Sequence, residues 1–186
     1  MAQAELGTED VETAVVVVAM FNYLTRVADA SGIEFDYASP LPAFTPRRDQ
    51  QPVPRPDRTS WPVVPVEFRV HPAVADAWQS WRGYLFDTDE PLTRRERRLL
   101  AAAAAQECCD RARADELTGH TPRDDRETLL DTFARKLSRT PWQMAPTDLQ
   151  ALRAAGYPEP ALLHTISVVA LQNAESRLAM GRYLTR

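Results

Sequence analysis

Cysteine is nearly absent from the 186 residues, which hold only the adjacent pair Cys108 and Cys109. So few thiols exclude a disulfide-dense scaffold. Neighbours on one helix point ~100° apart, so the two cannot be bridged without breaking that helix. Histidine is also scarce. His71, His120 and His164 lie far apart, no soft or imidazole ligands cluster at metal-site spacing, and neither a metal nor a cofactor is expected. Long apolar runs are missing too: the longest, AVVVVAMF at 14–21, is far short of the ~20 residues that span a bilayer, so no membrane segment is expected. No excess of one charge marks a phosphate-binding face. The 22 basic and 26 acidic residues give a net charge of −4, with Arg interleaved among Asp and Glu, which argues against nucleic acid as a partner. The N-terminal MAQAELGTEDVE has neither a basic n-region nor an apolar h-region, which predicts a cytoplasmic protein with reduced thiols.

What is present reads as a helical protein. With 44% apolar and 26% charged residues, the composition is that of a globular chain with one main core. Residues 8–31 predict a helix despite Val15 to Val18: Thr8 can cap it, Val15, Ala19, Asn22 and Arg26 continue one stripe, and Gly32 ends it. Nine of the fifteen prolines then fall between Pro40 and Pro72, which excludes helix and central strand and predicts an extended connector, docked through Trp61, Val64, Val66 and Phe68.

Beyond it every segment has helical signals. HPAVADAWQSWRGYLF places Val74, Trp78, Trp81 and Leu85 on one face. LTRRERRLLAAAAAQECCDRARADEL opens with the capping box Thr93-x-x-Glu96 and predicts one long helix with both cysteines late in it. TPRDDRETLLDTFARKLSR starts at Thr121 and Pro122 and turns Leu130, Phe133, Ala134 and Leu137 inward. TDLQALRAAG is capped by Thr147 with Gln150 and closed by Gly156. The last helix, about 159–183, carries Leu162, Leu163, Ile166, Val169, Ala170 and Leu178 on its apolar side.

The first helix repeats the last. VVVVAMFNYLTRVADA (15–30) aligns with ISVVALQNAESRLAMG (166–181) at one constant offset, pairing Ala19 with Ala170, Asn22 with Asn173, Arg26 with Arg177 and Ala28 with Ala179. Asn and Arg four apart on an apolar stripe predict a satisfied polar network between helices or subunits, in preference to a substrate site.

Two stretches carry a family resemblance: LLDTFARKLSRTPWQMAPTDLQALRAAGYPEPALLHTISVVALQN, with its ARKL, LRAAGY and N-x-x-x-R elements, and HPAVADAWQSWRGYLFDTDEPLTRRERRLLAAAA. They resemble the alkylhydroperoxidase D (AhpD)-like and carboxymuconolactone decarboxylase superfamily, in its peroxidase-related branch. AMFNYLTRVADASGIEFDY (19–37) looks like the end of another copy of the same domain. The resemblance implies an all-α, AhpD-like helical bundle. It is organised as residues 1–37 resembling the tail of a preceding repeat, 38–70 the proline-rich connector, and 71–186 an AhpD-like domain.

The family's thiol peroxidases carry Glu, eleven residues, Cys, two residues, Cys, three residues, His, in which one thiolate attacks peroxide, the second resolves the sulfenic acid, and His and Glu handle protons. Aligned without gaps, these positions are Arg98, Asp110, Arg113 and Leu117, and all four groups are missing. A shift of two restores Glu96 and Cys108 but puts Arg111 and Asp115 at the later positions, and Arg97 and Arg98 where the helix wants apolar residues; the ungapped register is preferred.

Two functions are expected. One is a structural or regulatory subunit without peroxidase activity, in a homo-oligomer or in a hetero-oligomer with a homologous AhpD-like chain, because the N-terminal helix has an apolar stripe and no domain of its own. The other is a non-thiol acid–base enzyme on a small organic substrate, with Glu107, Asp110, Arg113 and His164 as the groups to test. Hydroperoxide reduction through Cys108 or Cys109 is a weaker third; buried packing is the preferred reading of the pair. Glu96 is read as the cap partner rather than an acid or base, and His120 as a loop residue.

Overall fold

The computed structural model describes residues 7–33, 49–52, 54 and 72–184. The connector's Trp61, Val64, Val66 and Phe68, and His71, lie outside them. Seven α-helices and no strand occur among the described residues: α1 Thr8–Ser31, α2 Pro72–Phe86, α3 Arg94–Glu107, α4 Arg111–Glu116, α5 Asp125–Arg139, α6 Pro146–Ala154 and α7 Glu159–Leu184. A 3-10 turn, Pro141–Gln143, joins α5 to α6. The chain is all-α.

α7 is the axis of the bundle and packs against α1, α2, α3, α5 and α6. From Ala161 to Ser176 it is buried on every side except at Leu163. Val168, Val169 and Leu171 fill the centre, with Leu99 and Leu100 from α3 and Leu130 and Leu137 from α5. Fully burying one such side chain contributes ~2 kcal/mol, so this packing carries most of the fold's stability. The α5 face is as the periodicity predicts. On α2 only Trp78 and Leu85 are buried while Val74 and Trp81 are exposed, and Leu163 of α7 is exposed as well.

The N-terminal helix docks on α7 of its own chain. Val15, early in α1, meets Gly181, late in α7, whereas Arg26 lines the same cavity as Arg177, so the two copies of the repeat run antiparallel. Ala19, Arg26 and Ala30 are buried there; Val17, Val18, Phe21 and Leu24 on the other side are exposed. Asp10–Ser31 is also long and apolar enough to cross a membrane, more than the eight-residue run suggests, because the helix stays apolar past Phe21.

The helix ends refine the sequence expectations. The Thr93 and Glu96 box forms, with Glu96 accepting from Thr93 N–H at 2.8 Å, and Gly32 ends α1 at φ 65°. α1 is capped at Gly7, whose N–H is held by Asp10 at 3.0 Å, rather than at Thr8. α5 starts later than Thr121: Asp124 caps it, accepting from Glu127 N–H at 2.7 Å. α6 is capped at Ala145, whose N–H reaches Asp148 at 2.7 Å, with Pro146 leading and Thr147 already inside the helix. In both cases an aspartate that takes an amide proton outcompetes the threonine.

The largest departure is at the cysteines. The helix expected to run through them stops at Glu107. Cys108 is its C-cap, Cys109 N–H donates to Gln106 O at 3.1 Å and Asp110 N–H to Ala105 O at 2.9 Å, which is a Schellman turn. The left-handed residue of that turn, normally glycine, is Cys109 at φ 57°. Helical geometry therefore does not keep the thiols apart. Both are free.

Candidate functional site

The turn brings Cys108 against the repeat's polar pair. Its Sγ donates to Asn173 Oδ1 at 3.2 Å and accepts from Arg177 Nη1 at 3.5 Å. Asn173 is fully used, since its Nδ2 also donates to Ser138 Oγ at 2.7 Å and Val169 O at 2.9 Å. The N-terminal copy is not. Among the described residues Arg26, 5% exposed, reaches only Asn22 O and Ser138 O, both at 3.4 Å, and its Nε and Asn22 Oδ1 have no partner. The expected satisfied network is thus formed by one copy only.

Burial pushes the Cys108 thiol pKa up, against the opposing pull of Arg177 and Arg26. The buried thiol stays protonated, the wrong state for a peroxidatic nucleophile. Arg26 is lowered to about 10 by burial and by the charge of Arg177, and remains a cation at neutral pH. Cys108, Cys109, Arg26, Arg177, Trp142 and Met180 line a cavity of about 270 Å3. Glu107 lines it too, but its Oε1 is ion-paired with Arg135 at 3.2 Å.

The positions that the resemblance assigns to the peroxidase motif lie on the other side of the α3–α4 corner. Asp110 caps α4 by accepting from Arg113 N–H at 3.2 Å and takes the Ser176 hydroxyl at 2.7 Å. Arg113 pairs with Glu116 at 2.6 Å and donates to Gln172 Oε1 at 3.2 Å. Leu117 is buried against Ala101 and Ala102. Arg98, Arg113 and Leu117 line a second cavity of about 360 Å3 with Arg82, Phe86 and His120. His120 is a loop residue, as expected, its Nδ1 3.0 Å from Leu117 O.

Beside this cavity stands a carboxylate that sequence reasoning passed over. Glu175 is 5% exposed and its Oε1 accepts from Arg82 Nε at 3.1 Å and Trp78 Nε1 at 3.3 Å. Burial raises its pKa even with Arg82 alongside. The only sequence signal was a charge in an otherwise apolar register of α7.

Arg97 was passed over as well. The two-residue shift was disfavoured partly because it put Arg97 at an apolar position, yet Arg97 is fully buried. Its guanidinium donates to Leu85 O and Glu90 O at 2.7 Å, Leu92 O at 3.0 Å and His164 Nδ1 at 2.9 Å. An arginine has no acceptor, so Nδ1 must accept and the ring's proton sits on Nε2, 3.1 Å from Tyr84 Oη. Burial, and then the Arg97 charge, lower the His164 pKa. His164 is a neutral clamp between α3 and α2.

The acid–base candidates are therefore scattered: Glu107 on one cavity, Arg113 on the other, Asp110 in a cap and His164 in the clamp. Glu96 keeps its capping role and also accepts from Tyr157 Oη at 2.9 Å. Among the described residues, no three His, Cys, Asp or Glu side chains are grouped to hold a metal ion. The chain matches no protein-family model, no curated protein and no solved structure.

Proposed function

We propose that this chain is a diverged AhpD-like protein that has lost thiol peroxidase chemistry and serves as a structural or regulatory subunit of an oligomer, of itself or with a homologous AhpD-like chain. One observation carries this reading: Asp110 and Arg113, at the positions of the family's two thiols, are committed to a helix cap, an ion pair and contacts with α7. The surviving thiol beside them is buried and held protonated. The exposed stripe of Val17, Phe21 and Leu24 on α1 supports assembly, because such a surface is normally covered by another chain. Light scattering on the purified protein tests the oligomer. An assembly of two or more chains that Phe21→Ser with Leu24→Ser dissociates is the expected result; a monomer with no co-purifying homologue contradicts it.

A second reading is favoured by Glu175. A buried carboxyl of raised pKa next to an arginine-lined cavity is what a non-thiol acid–base enzyme on a small acidic substrate requires. Under that reading Glu175 moves the proton and Arg98, in the cavity wall, holds the substrate's charge, since Arg82 is paired with Glu175 and Arg113 with Glu116. Turnover of a small carboxylic-acid substrate that Glu175→Gln abolishes would displace the subunit reading.

A further inference from the structure

The cavity beside the cysteines is lined by three arginines, Arg26, Arg139 and Arg177, and neither Arg26 nor Arg177 forms an ion pair among the described residues. Arg26 from α1 is 5% exposed, its two carbonyl contacts are long at 3.4 Å, and its Nε donates to nothing. Arg177 from α7 reaches only neutral acceptors, Asn173 O at 3.4 Å, Asn173 Oδ1 at 3.3 Å and Cys108 Sγ at 3.5 Å. The acid in the same wall, Glu107, is held by Arg135. Arg26 is buried and Arg177 half-buried, each without an ion pair among the described residues; the charge of Asp29 favours the Arg26 cation, but burial and the repulsion from Arg177 act against it. An anion between the two arginines offsets both. Arginine forks match the planar carboxylate in particular, each offering paired donors.

The rest of the wall is mixed: Glu107, Ser138 and Arg139 are polar, and one part is apolar. Pro141, Trp142 and Met180 line the cavity, whose volume of about 270 Å3 is at the small end for ligand sites. We propose that this cavity is a binding site for a small organic carboxylate, its charged end on Arg26 and Arg177 and its apolar body against Trp142, Pro141 and Met180. The site binds without transforming its ligand, which is consistent with a protonated neighbouring thiol. It is separate from the cavity of Arg82, Arg98 and Arg113, and does not depend on the function proposed above.

Titration calorimetry on the full chain at fixed ionic strength tests it, with benzoate as probe and benzamide as its uncharged isostere. Benzoate binds one to one, benzamide about tenfold or more weakly, and Arg177→Met lowers benzoate affinity by about tenfold, the loss expected for one charge-assisted pair. Equal binding of benzoate and benzamide, no benzoate binding, or an unchanged affinity in Arg177→Met overturns the proposal. If that variant does not fold, the wild-type protein decides. Cys109 is half-buried in the same wall, so saturating benzoate, and not benzamide, slows its alkylation by iodoacetamide. An unchanged alkylation rate rejects the site.

Discussion

Gly181 of α7 and Val15 of α1 approach so closely that a Cβ at position 181 would overlap the Val15 side chain. In the repeat Gly181 corresponds to Ala30, so the C-terminal copy has given up its methyl at the contact. Gly181→Ala should therefore destabilise the protein by about 1 kcal/mol or more through overpacking, although alanine normally gains about that much inside a helix. Adding Val15→Ala should recover most of the loss. Thermal denaturation of the four proteins in a double-mutant cycle measures the coupling.

Cys109 occupies a left-handed position that glycine adopts without strain. Cys109→Gly should stabilise the fold by about 1 kcal/mol, the usual cost of such a conformation for a residue with a Cβ, whereas Cys109→Ala should not. Chemical denaturation of both variants distinguishes strain relief from loss of the thiol.

The lowered pKa of His164 gives its effect on stability a sign. The unfolded chain binds the proton more readily, so stability is fully present above the ordinary histidine pKa of about 6.5 and is lost as pH falls through it toward the depressed folded value. His164→Gln should flatten this part of the pH–stability profile. Arg97→Met should cost about 3 kcal/mol or more at any pH, because it strips three backbone carbonyls and the His164 ring of their donor.

Glu175 behaves in the opposite sense. Its folded pKa is raised, so the native state holds the proton more tightly and stability rises as pH falls through that raised value toward the unfolded one. Glu175→Gln supplies the neutral form permanently and should leave the melting temperature at pH 7 unchanged or higher. A large loss of stability would mean that the charged carboxylate is the native form.

The sequence disclosed the fold wherever spacing and caps act locally. The helical class, the buried face of α5, the Thr93–Glu96 box and the Gly32 stop were all legible in it. The α3 stop was not, because an alanine run with no Gly or Pro reads as continuous helix and the left-handed residue is a cysteine. Glu175 was missed because its partners, Trp78 and Arg82, lie more than ninety residues away, and Arg97 because three backbone carbonyls of the α2–α3 connection and its flanks, which no side-chain pattern reveals, join His164 in satisfying it. The outward turn of Val74, Trp81 and Leu163 follows from which neighbours exist, and no periodicity contains that.

The central claim, that the thiols do no peroxidase chemistry, is tested most directly by following organic hydroperoxide consumption by the fully reduced protein beside its Cys108→Ser, Cys109→Ser double variant. The account predicts equal, slow loss in both, with the wild-type thiols still titrating afterward. A burst of consumption in the wild type that the double variant lacks, with one or both thiols oxidised, would contradict it.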